Sequence, residues 1–422
     1  MNYQKYTLPN KTTILTVPMP HTEATMAMAM VHAGSRNEDP VEKGLAHFTE
    51  HMAFKGGKLF KKPKDVAIAV DGIGGDFNAF TAEEVTAYYI RAAKEHIKLS
   101  LDVLADLVIH PRFPSDELEK EKGVIVEEIN MYEDMPRYKA EIKLGSLIYK
   151  NHPLGWNTAG EKQTVTAFDR QTLSRFHEKM YVGHNITVIL AGAVNDQAVK
   201  EVEKRFKVLP TGQAESHQAP IEDQTKPAVH LTNKTSEQTH LAMGIRALNI
   251  TDPRRYIYKV MSIILGGNMS SRLFLNIRER QGLSYYISAS TQAFTDTGYL
   301  EVNAGVDNKR VLVAIESIMH ELVKIRDKQV TKEELDRAKE FMIGRIKLSL
   351  EDSEQIARLL VSQHILENTI QTPEQMIAGI KAVTVNQIQK LTQEIFQAKN
   401  VNLSLVGPEQ NRDKVLAILS AI

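Results

Sequence analysis

The sequence predicts an α+β protein built as two homologous halves, each a mostly antiparallel sheet covered by helices. Three observations carry that reading. Pro210 to Pro227 is poor in apolar residues and rich in Pro, Gly and Gln, so it divides the 422-residue chain into residues 1–209, a linker 210–227, and residues 228–422. Each half holds an alternating stretch that runs into Asp-Pro and then a helical pattern: Thr25–His32 before Asp39-Pro40, and Thr239–Arg246 before Asp252-Pro253. The halves also close alike. His184-Asn185-Ile186-Thr187-Val188 with Gly192 returns as Lys399-Asn400-Val401-Asn402-Leu403 with Gly407, at a constant offset of 215. Shared order and spacing argue for a duplicated unit, with strands forming a sheet that helices cover on one face.

Composition narrows the function. Hydrophobic residues make up 42% and charged residues 25%, with 52 basic against 52 acidic side chains, as in an ordinary globular protein. A net charge of zero gives no long-range pull toward a polyanion, so neither nucleic acid nor an anionic membrane is expected as the main partner. The chain has no cysteine, which excludes thiolate nucleophiles, disulfides and cysteine-ligated metals. Any metal must sit on His and carboxylate. The first twenty residues alternate apolar and polar and carry Pro9-Asn10, unlike a signal peptide, and no apolar run reaches the roughly 18 residues a membrane span needs. The expected address is the cytoplasm.

Taking the elements in order, Asp39-Pro40-Val41-Glu42 reads as a helix start, with an Asp cap, Pro at the first helical position and Glu three residues on. The helix is expected to run to about Lys55, where Gly56-Gly57 stops it. Within it, His47 and His51 stand four apart on one face and Glu50 stands beside them, which makes a two-imidazole metal site with a carboxylate at hand. Two structural histidines are the plainer explanation. The second half argues against it: counting on from Asp39 and from Asp252 pairs His47, Glu50 and His51 with Val260, Ile263 and Ile264. Where the copy has apolar core, the first half has three polar groups that need partners.

A hydrolytic zinc takes three protein ligands and leaves one position for water. The carboxylate-rich helix Ser115 to Asp134 is the source of the third. At the helical pitch Leu118, Ile125, Ile129 and Tyr132 form its buried stripe, Glu121 and Glu128 flank that stripe, and Glu127 points away toward water. Helix geometry leaves Glu121 and Glu128 interchangeable.

The run Gly44-Leu45-Ala46-His47-Phe48-Thr49-Glu50-His51-Met52-Ala53-Phe54-Lys55-Gly56, with Glu128 77 residues after His51, resembles the inverted-motif zinc peptidases of the pitrilysin and insulinase family. The likeness is greatest to the branch containing mitochondrial processing peptidase. Further matching segments are Asn78-Ala79-Phe80-Thr81, Thr86-Ala87-Tyr88-Tyr89, Glu133-Asp134-Met135-Pro136, Ser270-Ser271-Arg272-Leu273-Phe274 and Arg278 through Tyr285, so the resemblance spans most of the chain. It implies that Glu128 is the third ligand and Glu121 a partner of the ligands, with one zinc per chain. It also implies that Glu50 is the catalytic base and that Arg278 and Tyr285 reach the substrate carbonyl. Asn78, Ala79, Phe80 and Thr81 match the edge strand on which family members lay out extended peptides. Substrates would be unfolded or extended peptides cleaved inside a closed chamber, and because one chain carries both motif sets, a homodimer is the implied assembly. The alternative from the same resemblance is a noncatalytic peptide-binding or scaffold subunit, although such subunits have lost parts of the metal motif. Two departures stand out: Thr49 where an aliphatic residue is usual, and Gly57 where Thr commonly follows Gly56.

Overall fold

The strand Ala24–Val31 alternates methionine with alanine, so both of its faces are apolar and both must be covered. In the computed structural model, which describes residues 2–214 and 216–421, both are. Ala27, Ala29 and Val31 enter one core with Leu45, Phe48, Met52 and Leu101, while Met26, Met28 and Met30 enter another with Ile356, Leu360 and Val361. The expectation of helices on one face is therefore corrected: the alternation is of large and small apolar residues, not of apolar and polar ones.

Six strands make the first sheet: β1 (Gln4–Thr7), β2 (Thr13–Pro18), β3 (Ala24–Val31), β4 (Asp76–Thr81), β5 (Thr86–Ala93) and β6 (Ile186–Gly192), in the order β1-β2-β6-β3-β5-β4. The second sheet contains β7 (Ala228–Asn233), β8 (Gln238–Arg246), β9 (Ser284–Ala293), β10 (Gly298–Asp307) and β11 (Val401–Gly407), in the order β7-β11-β8-β10-β9. The two follow one plan. In each, the strand that closes the half (β6, β11) pairs parallel to one neighbour and antiparallel to the other. All remaining pairs are antiparallel. The 215-residue offset survives as structure, since β6 begins at Ile186 and β11 at Val401.

The chain divides into two compact units, and each takes a segment from the other half of the sequence. The first comprises residues up to Asn130 with Trp156–Gln218 and Leu348–Ile370; the second comprises Met131–Gly155, Ala219–Lys347 and Gln371 onwards. In the first unit the borrowed helix Ser353–Ser362 covers the methionine face of the sheet. In the second, the borrowed helix Pro136–Ile148 sets Ala140, Leu144 and Ile148 against Ala242 and Val406, and at Gly244 a Cβ would stand 2.4 Å from Ile148 Cδ1. Small residues on that face of β8 let the helix approach, while Leu241, Met243 and Ile245 fill the opposite core. The 210–227 segment has no regular secondary structure among its described residues. It is nonetheless anchored: Gly183 and His184 donate to Pro210 and Thr211, Arg36 donates to Gln218, and Gln224 donates to the Val401 carbonyl. No helix among the described residues is long and apolar enough to cross a membrane.

Candidate metal centre and active site

The helix carrying the histidines is Leu45–Ala53, shorter at its start than expected from sequence. Asp39-Pro40 forms a turn instead, with Glu42 N donating to the Asp39 carbonyl and Leu45 N to the Glu42 carbonyl. Gly44 interrupts the helical path with φ of 91°, a left-handed conformation that a side chain would strain. The cap comes from further back. Glu38, buried, accepts from Gly44 N at 2.9 Å and Ala46 N at 2.8 Å, so its carboxylate takes the free donors of the first turn. Burial pushes the Glu38 carboxyl up, against these bonds.

Two turns of this helix and one residue of a later helix bring three donor atoms together. His47 Nε2 and His51 Nε2 stand 3.2 Å apart, and Glu128 Oε2, from the helix Ser115–Asp134, lies 3.8 Å from the first and 3.7 Å from the second. A tetrahedral zinc with bonds of about 2.0–2.1 Å to nitrogen sets its nitrogens roughly 3.3–3.4 Å apart, so the imidazole spacing fits and the carboxylate stands a few tenths of an ångström outside. The protonation state of His47 suits a cation. Burial, and then the neighbouring His51, pushes the His47 pKa down to about 3, leaving a neutral ring with a lone pair to offer. His47 Nδ1 is buried without a hydrogen-bond partner among the described residues. For His51, burial pulls the pKa down, but the Glu121 hydrogen bond and the nearby carboxylates leave it raised.

Glu121 lies two helical turns before Glu128 on the same helix. Its Oε1 is 2.9 Å from His51 Nδ1 and its Oε2 is 2.6 Å from Lys55 Nζ. Burial raises the Glu121 carboxyl, but hydrogen bonds from His51 and Lys55 outweigh it and hold the group ionised below its ordinary value. With Nδ1–H given to Glu121, the ring turns Nε2 toward the other two donors. Lys55 was not singled out from sequence. Its signal was there, since it stands four residues after His51, one turn on in the helix expected from sequence to reach Lys55. Glu127 is exposed and accepts from Asn130, away from the cluster.

Glu50, 8% exposed, has its carboxyl raised by burial, against a hydrogen bond from Thr81 Oγ1 to its Oε2 at 2.6 Å. Thr81 ends β4, which carries Asn78, Ala79 and Phe80 and is the last strand in the sheet order. Ala79 packs on the core shared with the His helix, while Phe80 lies on the opposite face under the Arg358 guanidinium at 4.7 Å. Asn78 is exposed, its Oδ1 accepting from Ala79 N. Arg278 and Tyr285 belong to the second unit. Arg278 lies on the helical segment Phe274–Arg280 with its guanidinium 4.8 Å from the Phe274 ring. Tyr285 is the extra residue of a β-bulge, because Tyr286 faces Gly305 while Ser284 faces Val306, and it is 61% exposed. A bulge turns a side chain out of the strand's regular alternation.

The two departures from the family pattern have local explanations. Thr49 is buried, and its hydroxyl donates to the Leu45 carbonyl at 2.7 Å, so it sits in the core without an orphaned polar atom. At Gly57 a Cβ would fall 2.2 Å from Asp106 Oδ2. Asp106, buried, accepts from the amides of Lys58, Leu59 and Phe60 and so pins the loop that follows the His helix. Asp106→Ala orphans those donors, and urea unfolding is expected to register a loss of about 2–4 kcal/mol.

A duplicated α+β fold with one His-x-x-Glu-His helix and a carboxylate from a second helix defines a metallopeptidase-like class of protein. The chain belongs to the insulinase family, peptidase family M16. Residues 13–162 match the family model described as Insulinase (Peptidase family M16), and residues 167–342 match the model described as Peptidase M16 inactive domain. That second description falls on the half in which Val260 and Ile264 are buried core residues. Among relatives, a Bacillus subtilis protein named uncharacterized zinc protease YmxG is 33% identical over 412 residues, covering 97% of this chain and 99% of that one. An uncharacterized zinc protease of Rickettsia bellii is 31% identical over 414 residues, covering 96% and 98%. Of solved structures, a Helicobacter pylori protease superposes with a TM-score of 0.90 at 22% identity, covering 96% of this chain and 99% of that chain. A Pseudomonas fluorescens structure described as a peptidase M16 inactive domain does so with a TM-score of 0.90 at 21% identity, covering 97% and 99%.

Proposed function

We propose that this protein is a zinc-dependent endopeptidase acting on unfolded or extended peptides. The observation that carries the reading is the meeting of His47 Nε2, His51 Nε2 and Glu128 Oε2 within 3.2–3.8 Å of one another, next to a buried Glu50 that is not one of the three. Bound by those three donors, zinc would supply the Lewis acidity that makes water a nucleophile near neutral pH and polarises a carbonyl. Glu50 takes the proton of that water on Oε1, because Oε2 is engaged by Thr81, and returns it to the leaving amine. Its raised carboxyl pKa suits a group that must both accept and release a proton. Glu121 and Lys55 hold the His51 ring in orientation throughout. The peptide is expected to pair as an added strand along β4 at Asn78–Thr81, main chain to main chain, which favours broad sequence specificity. The same reading gives Arg278 and Tyr285 the task of donating hydrogen bonds to the tetrahedral oxyanion.

The alternative, a noncatalytic peptide-binding or scaffold subunit, needs neither an intact donor set nor Glu50. Cleavage of a fluorescence-quenched unstructured peptide separates the two. Hydrolysis that a chelator abolishes and one equivalent of zinc restores is the expected result; binding of the peptide without cleavage in the zinc-loaded protein supports the subunit reading instead.

A further inference from the structure

We propose that Thr81 is a positioning residue that holds Glu50 for catalysis, a role that rests on the peptidase reading above. Thr81 Oγ1–H donates to Glu50 Oε2 at 2.6 Å, within the range of a strong hydroxyl-to-carboxylate bond. No other described residue hydrogen-bonds the Glu50 side chain. His51 and Glu128 are close enough to act on its charge. A carboxylate among metal-ligating groups has two competing uses, since a rotation about its side-chain bonds turns a base into a ligand. The Thr81 hydroxyl opposes that rotation by fixing one oxygen and leaving the other free.

The backbone around the contact is built to keep it in place. Residues 35–38 are tied to both partners. On one side Glu38 caps the His helix through Gly44 N and Ala46 N. On the other, Ser35 N and Arg36 N donate to the carbonyls of Ala82 at 3.2 Å and Glu83 at 2.7 Å, in the turn that directly follows Thr81. Ala82 N closes that turn on the Val85 carbonyl at 2.8 Å, and a buried ion pair from Arg36 Nη1 to Glu84 Oε1 at 2.7 Å secures it. Helix, base, hydroxyl, turn and cap thus form a closed circuit of bonds. Because Thr81 belongs to β4, a peptide pairing along that strand engages the same backbone that carries the hydroxyl, so substrate binding and base orientation share one element. The strand position matched by Thr81 therefore acts through Glu50 and not through a side-chain contact to substrate.

The test uses the full-length zinc-loaded protein, Thr81→Val, Thr81→Ser and Glu50→Gln, with a fluorescence-quenched unstructured peptide and metal analysis of each variant. Valine keeps the β-branched shape and removes the hydroxyl. Thr81→Val is expected to retain zinc, keep KM within about twofold and lower kcat roughly 10–100-fold, while Thr81→Ser recovers most of the rate. Wild-type kcat in Thr81→Val beside an inactive Glu50→Gln overturns the role of Thr81 alone. So does a raised KM at unchanged kcat, which marks a substrate contact, or a Thr81→Ser as slow as Thr81→Val, which marks packing by the methyl group. An active Glu50→Gln brings down the peptidase mechanism itself.

Discussion

Glu50→Gln is expected to bind zinc as the wild type does and to hydrolyse peptide about 10²–10⁴-fold more slowly, the range of a lost general base. Glutamine is nearly isosteric, and its amide oxygen still accepts from the Thr81 hydroxyl now 2.6 Å from Glu50 Oε2, so the helix and its two imidazoles keep their places. What disappears is the basic oxygen. The carboxylate costs something to bury, as its raised pKa records, and the apolar residue at the corresponding position of the other half, Ile263, shows that the helix fold does not require it. The variant is therefore expected to be at least as stable as the wild type in urea unfolding. Steady-state kinetics beside zinc analysis checks both halves of the expectation; normal kcat with zinc bound would mean that another group takes the proton.

Substitutions at Glu128 and Glu121 should differ in kind, although the two residues sit on one helix and sequence geometry treats them alike. Glu128→Gln removes one of the three converging donors and is expected to abolish turnover at ordinary zinc concentrations. Glu121→Gln leaves the three donors in place but weakens the bond that orients His51 and frees Lys55. A loss of about 10–100-fold in zinc affinity is expected there, recoverable by excess metal. Competition against a chromophoric chelator ranks them. A weaker Glu121→Gln would exchange their roles, and equal affinities would remove the distinction between them.

Much of this was legible in the chain. Duplication could be read because the closing strands are buried on both faces and keep their register at a 215-residue offset. The metal helix could be read because polar residues on a face that is otherwise core must have a use, and the helix Ser115–Asp134 presents the stripe of Leu118, Ile125 and Ile129 that its pitch requires. The start of the His helix could not be read from local propensity: Asp39-Pro40 is a good helix start in isolation, but Glu38 and the left-handed Gly44 delay the first turn. Nor could the exchange of helices between units, because an apolar helix face such as Ile356, Leu360 and Val361 says that it needs a partner without saying which sheet provides one. The Thr81 to Glu50 bond joins residues 31 apart through tertiary structure alone, and Thr81 on sequence evidence was simply one of four strand residues.

The central claim is that His47, His51 and Glu128 hold one zinc ion between them. Anomalous diffraction from crystals of the zinc-loaded protein, collected on both sides of the zinc absorption edge, tests it most directly. The expected result is one strong peak per chain, about 2.0–2.2 Å from His47 Nε2, His51 Nε2 and a Glu128 carboxylate oxygen, and outside bonding distance of Glu50. A peak elsewhere, or one bonded to Glu50 in place of Glu128, would contradict it.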